Sequence, residues 1–355
     1  MRPISHLFRE KRPMPGFIGI EKIAGIYCAF TLVLTYMLFG DIDNKVGVLG
    51  LRFIFIIGTV FLWRLYNRVP CEATYYLRIL FQFILLSYWY PDIYNFVRLM
   101  PNFDYVTAGI DQIMFGFQPS IEFSKCLSGM FWQELFNMGY FSYFLIIMSI
   151  VIVPFFIYPH HLDRSTFVAF ASFFMFYVLF LFIQVAGPQF YFVDNLVSAE
   201  QISNGQFPNV GSYFLYHSEL NNLTDQGGGF FTSLIHSIHS SERPIAAFPS
   251  SHVGISTVIL LLAFKIKKRY AYIILPFYVI LCFSTVYIQA HYVIDVFAGL
   301  VFGVLFYWLG NMLYKMKAFR RLSDFSALHY YRGNEHYSHH HGHRHHHHHH
   351  HSDDE

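Results

Sequence analysis

The chain has 355 residues, of which 55% are hydrophobic, 20% aromatic and only 13% charged. Soluble domains carry roughly 25% charged residues, so there is too little charge here to wet a globule of this size. A water-soluble globular enzyme is excluded and no nucleic-acid partner is expected, while the formal net charge of +2 says little until its placement is known.

Residues 1–19 are basic and proline-rich and are expected on the cytoplasmic surface. Apolar runs follow at about 20–39, 48–66, 75–97, 138–158, 165–186, 250–265, 271–289 and 291–314. A bilayer crossing takes roughly 20 apolar residues. The expected fold class is therefore an all-α integral membrane protein with about eight transmembrane helices. The first run lacks a small-residue cleavage site, which makes it a first membrane helix rather than a removed signal. The run that begins at Pro249 is short, as expected where protein rather than lipid surrounds the backbone.

Lysine and arginine accumulate on the cytoplasmic side of membrane helices. With the N-terminus inside and eight alternating spans, 19 of the 24 Lys and Arg lie inward, including Lys265, Lys267, Lys268 and Arg269 in one turn. Lys45, Arg98, Lys125 and Arg243 fall outward, and Arg52 falls inside a helix. Both termini are thus expected in the cytoplasm of a plasma (inner) membrane protein whose site faces outside or the periplasm.

Four sections follow: the basic segment 1–19, N-terminal membrane helices over 20–160, a catalytic membrane domain over 161–318, and a histidine-rich tail over 319–355. Within the second, 98–137 reads as an interfacial or re-entrant helix. There, Asp111, Gly116 and Pro119 either shape a substrate entrance or form a plain turn. The outward stretch 187–248 is long, aromatic and rich in Gly, Asn and Ser, the composition of a helical or looped cap. It contains a glycosylation sequon at Asn222-Leu223-Thr224. Cys28, Cys71, Cys126 and Cys282 are scattered with no CxxC pair, which indicates neither a disulfide framework nor a zinc site. The histidines of the tail have the composition of a metal-binding tract, a low-complexity tail or an affinity tag, and no catalytic role is assigned to them.

The chemistry concentrates between Glu242 and Asp295. His252 and His291 sit at the ends of two different apolar helices that open on the same side of the membrane. Asp295 follows His291 by four residues, so on a helix its carboxylate and the imidazole share a face. Breaking a phosphate ester takes a nucleophile, an acid for the leaving oxygen, and cations or amides around the non-bridging oxygens. His291 fits the nucleophile, with Asp295 fixing its tautomer and stabilising its charge. His252 fits the acid that protonates the leaving alkoxide and then takes the proton of the incoming hydroxyl. Pro249, Ser250 and Ser251 open a helix, so its amides and positive dipole end point where a phosphate would sit. Ser250 reads equally well as a helix cap. Arg243 is the only Lys or Arg between Gly187 and Ser251, and a guanidinium suits bidentate phosphate contacts, so it is the candidate oxyanion clamp. His236 and His239 have a metal-compatible spacing but no clear third ligand. No metal or organic cofactor is implied.

Pro249-Ser250-Ser251-His252 together with Ser284, His291 and Asp295 resembles the second and third motifs of the type-2 phosphatidic acid phosphatase and vanadium haloperoxidase superfamily. The resemblance gives the two histidines and the aspartate the roles derived above. Ser251 stands where that family has glycine, and Thr285 where it has a phosphate-binding arginine. The first family motif is met only loosely by His236 and Arg243-Pro244, and Gly187-Pro188-Gln189 is the other candidate for its place, which makes Gln189 a candidate phosphate contact. FPSSHVGIS, STVYIQAHYVIDVFAG and the upstream DQIMFGFQP look more like the inositolphosphotransferase branch, the inositol phosphorylceramide synthase type. The expected function is transfer or hydrolysis of a lipid phosphate or phosphodiester at the outer leaflet through a phosphohistidine. The partners are that lipid phosphate and the membrane lipids. A phosphatase of the phosphatidate or polyprenyl-phosphate type is the nearest alternative, and a non-enzymatic lipid transporter or scaffold is a second. A haloperoxidase would need a richly cationic vanadate pocket, which this sequence does not offer.

Overall fold

The computed structural model describes residues 7–8, 16–220, 229–239 and 242–320. The sequon at Asn222, the histidine-rich tail and most of the basic N-terminal segment lie outside the described residues. In chain order the helices are α1 (Gly19–Met37), α2 (Lys45–Arg68), α3 (Glu72–Asp92), α4 (Tyr94–Val97), α5 (Asp104–Phe115), α6 (Pro119–Cys126) and α7 (Met130–Phe156). They continue with α8 (Leu162–Phe182), α9 (Pro188–Tyr191), α10 (Ala199–Ser203), α11 (Phe230–His239), α12 (Ser251–Ile266), α13 (Lys268–Tyr287), α14 (Val293–Lys315) and α15 (Lys317–Arg320). Among the described residues the only β pairing is an isolated bridge between Asn102 and Gln184.

A helix lies over each of the eight apolar runs, because a backbone in lipid must satisfy its own hydrogen bonds. Six of these, α1, α2, α7, α8, α13 and α14, are long and apolar enough to cross a membrane. The chain is a membrane protein. Helix α12 has 16 residues, and α3 carries Glu72, Arg78 and Asp92 among its apolar positions.

Two of those α3 charges are fasteners. Arg78 donates to both oxygens of Glu21 on α1, at 2.8 and 2.5 Å. Arg52 of α2 donates to both oxygens of Asp92, at 2.8 and 2.7 Å, with its guanidinium against the rings of Trp89 and Phe96. All four groups are buried. Ions in an apolar bundle persist only when paired and hydrogen-bonded, so α3 is tied to α1 and α2 by the residues that lower its hydropathy.

The segment 98–137 is not one interfacial helix. It holds α5, α6 and the first turns of α7, which starts at Met130 rather than near 138. The polar residues there are used without ending the helix. Glu134 accepts from the Phe231 and Thr232 amides, at 3.0 and 2.8 Å, and from the Thr232 hydroxyl, so the first turns of α7 cap α11. The described residues of the stretch 187–248 are partly helical and contain α9, α10 and α11.

Around the candidate site, α12 is enclosed by α7, α8, α13 and α14. Its contact with α14 runs along glycines. A Cβ on Gly299 would lie 2.5 Å from the Ser250 carbonyl, and one on Gly303 would lie 2.6 Å from the Gly254 carbonyl. Small residues four apart let membrane helices approach to backbone contact, which brings the start of α14 beside the start of α12. Gly303→Ala is expected to destabilise the protein by about 1–3 kcal/mol through overpacking, read as a lower Tm in detergent. Gly50→Ala, at a position on α2 with nothing within 4 Å of the added carbon, is expected to leave Tm unchanged or raise it slightly.

Candidate active site

The structure brings His252 and His291 together: His252 Nδ1 lies 3.1 Å from His291 Nε2. His291 is buried, and its Nδ1 lies 2.8 Å from the carbonyl of Ala247 and 3.6 Å from Asp295 Oδ2. A carbonyl can only accept, so Nδ1 carries the hydrogen and Nε2 keeps the lone pair. His252 Nδ1 must then be the donor in the bond between the two rings. The far nitrogen of His252 sits 2.9 Å from the Tyr140 hydroxyl.

Asp295, in the first turn of α14, does face Nδ1 of His291, but His291 lies in the loop before that helix rather than on it, and the shorter contact is the backbone carbonyl. Its Oδ2 also accepts from the Tyr292 amide at 2.9 Å, the N3-to-cap half of a capping box. Its backbone carbonyl receives the Ser250 amide at 3.0 Å, which joins the starts of α12 and α14. The other carboxylate oxygen, Oδ1, is buried with no hydrogen-bond partner among the described residues.

Three loops are knitted by backbone bonds to hold this geometry. Ala247 N donates to Val185 O, Gln189 N to Gln289 O, and His291 N to Thr285 O. Ala246 and Gln289 adopt φ of 66° and 62°, a left-handed conformation that costs non-glycine residues about 1–3 kcal/mol each and concentrates at functional sites. Gly187, at φ 99°, passes so close that a Cβ would lie 2.7 Å from the Ala290 carbonyl, so no larger residue fits there.

The remaining predicted residues divide. Ser250 is buried and its hydroxyl accepts from the Val253 amide at 3.4 Å, so its side chain caps α12. Ser251 is buried as the first residue of that helix. Gln189 is buried and donates from Nε2 to Glu242 Oε2 at 2.9 Å. Arg243 is exposed, donates to the Ser218 hydroxyl at 3.4 Å and lies over the Tyr94 ring; neither contact is to the histidine pair. Thr285, where the resemblance has arginine, is buried and turns its hydroxyl back to the Cys282 carbonyl. His236 is exposed on α11.

Residues 112–309 match the sequence profile of the PAP2 superfamily, a span that covers more than half of the chain and both histidine motifs. The chain belongs to the PAP2 superfamily. No curated protein and no solved structure matches it. PAP2 superfamily members are generally phosphatases or phosphotransferases, so membership and the apolar helices together give a membrane protein of phosphatase type.

Sequence reasoning missed several residues around the histidine pair. Asp104 accepts from the Ala186 and Gly187 amides at 2.6 and 2.8 Å, and from Asn102 Nδ2 and the Tyr292 hydroxyl at 2.6 and 3.0 Å. Asp111, read from sequence as an entrance or turn residue, instead caps α14 by accepting from the Val293 and Ile294 amides at 2.8 and 3.0 Å. Burial pushes both carboxyls above the usual aspartate range, and the donated hydrogen bonds pull them back. Asp104 and Asp111 are seven residues apart, two turns of one helix face, and two buried acids on α5 were the available signal. Tyr140, Glu242 and the Ala247 carbonyl had no such signal.

Because the two aspartates hold the loops that carry His291, their loss is expected to act at a distance. Asp104→Asn leaves one accepting oxygen and turns an NH₂ against two donors, at a cost of about 3 kcal/mol. Asp111→Asn, which disturbs one of two amide bonds, is expected to cost about 1–2 kcal/mol. Thermal melts in detergent check both, and a larger fall for Asp111→Asn than for Asp104→Asn would contradict this ordering.

Proposed function

We propose that this protein transfers the phosphoryl group of a membrane lipid through a phosphohistidine on Nε2 of His291. The observation that carries the reading is the 3.1 Å approach of His252 Nδ1 to His291 Nε2 while His291 Nδ1 is held by a carbonyl with a carboxylate behind it. The lone pair and the acidic proton then face each other, and a phosphoryl group enters as the hydrogen bond between the rings opens. Its phosphorus is attacked by His291 as His252 protonates the departing lipid oxygen. Asp295 stabilises the positive ring as the N–P bond forms, in the orienting role of the third member of a hydrolytic triad. The positive end of α12, where Ser251 is the first helical residue, faces the phosphoryl oxygens in this reading.

In the favoured reading eight helices cross the bilayer, both termini are cytoplasmic, and the histidine pair opens to the outer leaflet of a plasma (inner) membrane. Arg243 reaches the phosphate only if its side chain leaves Ser218 and Tyr94. The favoured acceptor is a lipid hydroxyl, which makes the protein an inositol phosphorylceramide synthase-like transferase. Thr285 in place of a guanidinium supports this. A phosphodiester donor carries one negative charge, against as many as two on a phosphate monoester, and asks for less cationic compensation. With water as acceptor the same site is a lipid phosphate phosphatase.

Purified protein incubated with ³²P-labelled lipid phosphates and lipid phosphodiesters, with and without a lipid alcohol, separates these readings. A new labelled phospholipid formed from the phosphodiester only with the alcohol is expected, and free phosphate released from the lipid phosphate alone would point to the phosphatase. His291→Ala is expected to reduce turnover on the order of 10⁴-fold or more, and His252→Ala by about 10²–10⁴-fold. Undiminished function in His291→Ala would sink the enzymatic reading in favour of a transporter or scaffold.

A further inference from the structure

We infer that Tyr140 and Glu242 form a positioning pair that holds His252 in its doubly protonated form, ready to give a proton to the leaving oxygen. This rests on the phosphoryl-transfer reading above. Tyr140 is on α7, buried, and far from the histidine motifs in sequence. Its hydroxyl lies 2.9 Å from His252 Nε2 and 3.5 Å from Glu242 Oε1. The other oxygen of Glu242 accepts from Gln189 Nε2 at 2.9 Å, which fixes the carboxylate. The Tyr140 and Tyr143 rings lie 4.8 and 4.4 Å from the His252 ring, centre to centre. The titratable groups facing His252 are therefore Tyr140, Tyr143 and His291, with Glu242 behind the first and Asp295 behind the last.

The chemistry requires such a pair. A neutral His252 that surrendered its Nδ1 proton would be left as an imidazolate, so the competent acid is the imidazolium. In that form Nε2–H needs an acceptor, and a tyrosine oxygen serves when its own proton is directed elsewhere. Glu242 is where it goes: Nε2–H donates to Tyr140 Oη, and Tyr140 Oη–H donates to the Glu242 carboxylate. In the first step the His291 lone pair forms the N–P bond, the P–O bond to the lipid alcohol breaks, and the Nδ1 proton of His252 passes to that oxygen. His252 is left as a neutral imidazole still bonded to Tyr140 through Nε2–H. In the second step Nδ1 takes the proton of the incoming hydroxyl as its oxygen displaces His291 from phosphorus. Each histidine thus has a carboxylate behind it, Asp295 behind His291 and Glu242, through one hydroxyl, behind His252.

The test uses the dependence of rate on the leaving group. A lipid alcohol departs only when protonated, whereas 4-nitrophenol departs as its anion and needs no acid. The probes are the diacylglyceryl and 4-nitrophenyl esters of inositol phosphate, and the same pair of esters of phosphate itself where the donor is a monoester. Tyr140→Phe is expected to lower kcat on the diacylglyceryl ester on the order of 10²-fold with KM little changed. Its loss on the 4-nitrophenyl ester is expected to be under about tenfold. Glu242→Gln, at a half-buried position that tolerates change more readily, is expected to show the same selectivity in weaker form. Equal losses on both esters in both variants would mark a merely structural role and overturn the pairing, as would no loss on either. His291→Ala is expected to abolish both reactions. If it spares both, the phosphohistidine reading fails, and this inference with it.

Discussion

The hydrogen bond between the two imidazoles sets the terms for the rest of the molecule. A buried ring and a half-buried one, their nitrogens 3.1 Å apart, hold a useful geometry only if each outer nitrogen has a fixed partner, since an imidazole left to rotate loses both its tautomer and its aim. His291 is fixed by a backbone carbonyl and His252 by a tyrosine hydroxyl. Both partners are themselves immobilised. Ala247 sits in a loop bonded to Val185 beside the left-handed Ala246, and Tyr140 belongs to a long membrane helix.

Around this pair the protein has placed several buried carboxylates in an apolar surrounding, an arrangement that is costly unless each is satisfied. Asp111 is satisfied by backbone amides and Asp104 by two amides and two side-chain donors, which ties them to the loop at 186–187 and to the start of α14. Asp295 is the exception, with one buried oxygen lacking a partner among the described residues and the other 3.6 Å from His291 Nδ1. A carboxylate held slightly short of its neighbour in the resting state interacts more strongly once that neighbour becomes positive. This is the property expected of a group that stabilises a charged intermediate more than a neutral ring.

The N-terminal helices meet the same constraint by another route. Arg52 with Asp92 and Arg78 with Glu21 fasten α1, α2 and α3 to one another inside an apolar bundle. Helix α1 packs in turn on α8, which places these helices outside the ring of helices around α12. The glycine seam between α12 and α14 needs no polar fastener, because backbone contact supplies the close packing that lipid cannot drive.

The sequence by itself determined the class of the protein and the location of its apolar helices, because a bilayer imposes a minimum length and an apolar character on any segment that crosses it; the short helices between them and the early start of α7 were not visible there. It also singled out His252, His291 and Asp295, which the fold does bring together, although His291 lies in the loop before α14 rather than on the helix face the spacing suggested. Beyond that, tertiary structure decided. The partner of His291 Nδ1 nearest to it is a backbone atom, and every residue has one, so no side-chain pattern could single out Ala247. Asp104, Tyr140 and Glu242 reach the site from separate elements across long stretches of chain, and the packing of α5, α7 and the cap loop alone brings them there. Arg243 shows the converse: as the lone cation of its stretch it invited a role at the phosphate, but the direction of an exposed side chain is set by its neighbours in space, here Ser218 and Tyr94.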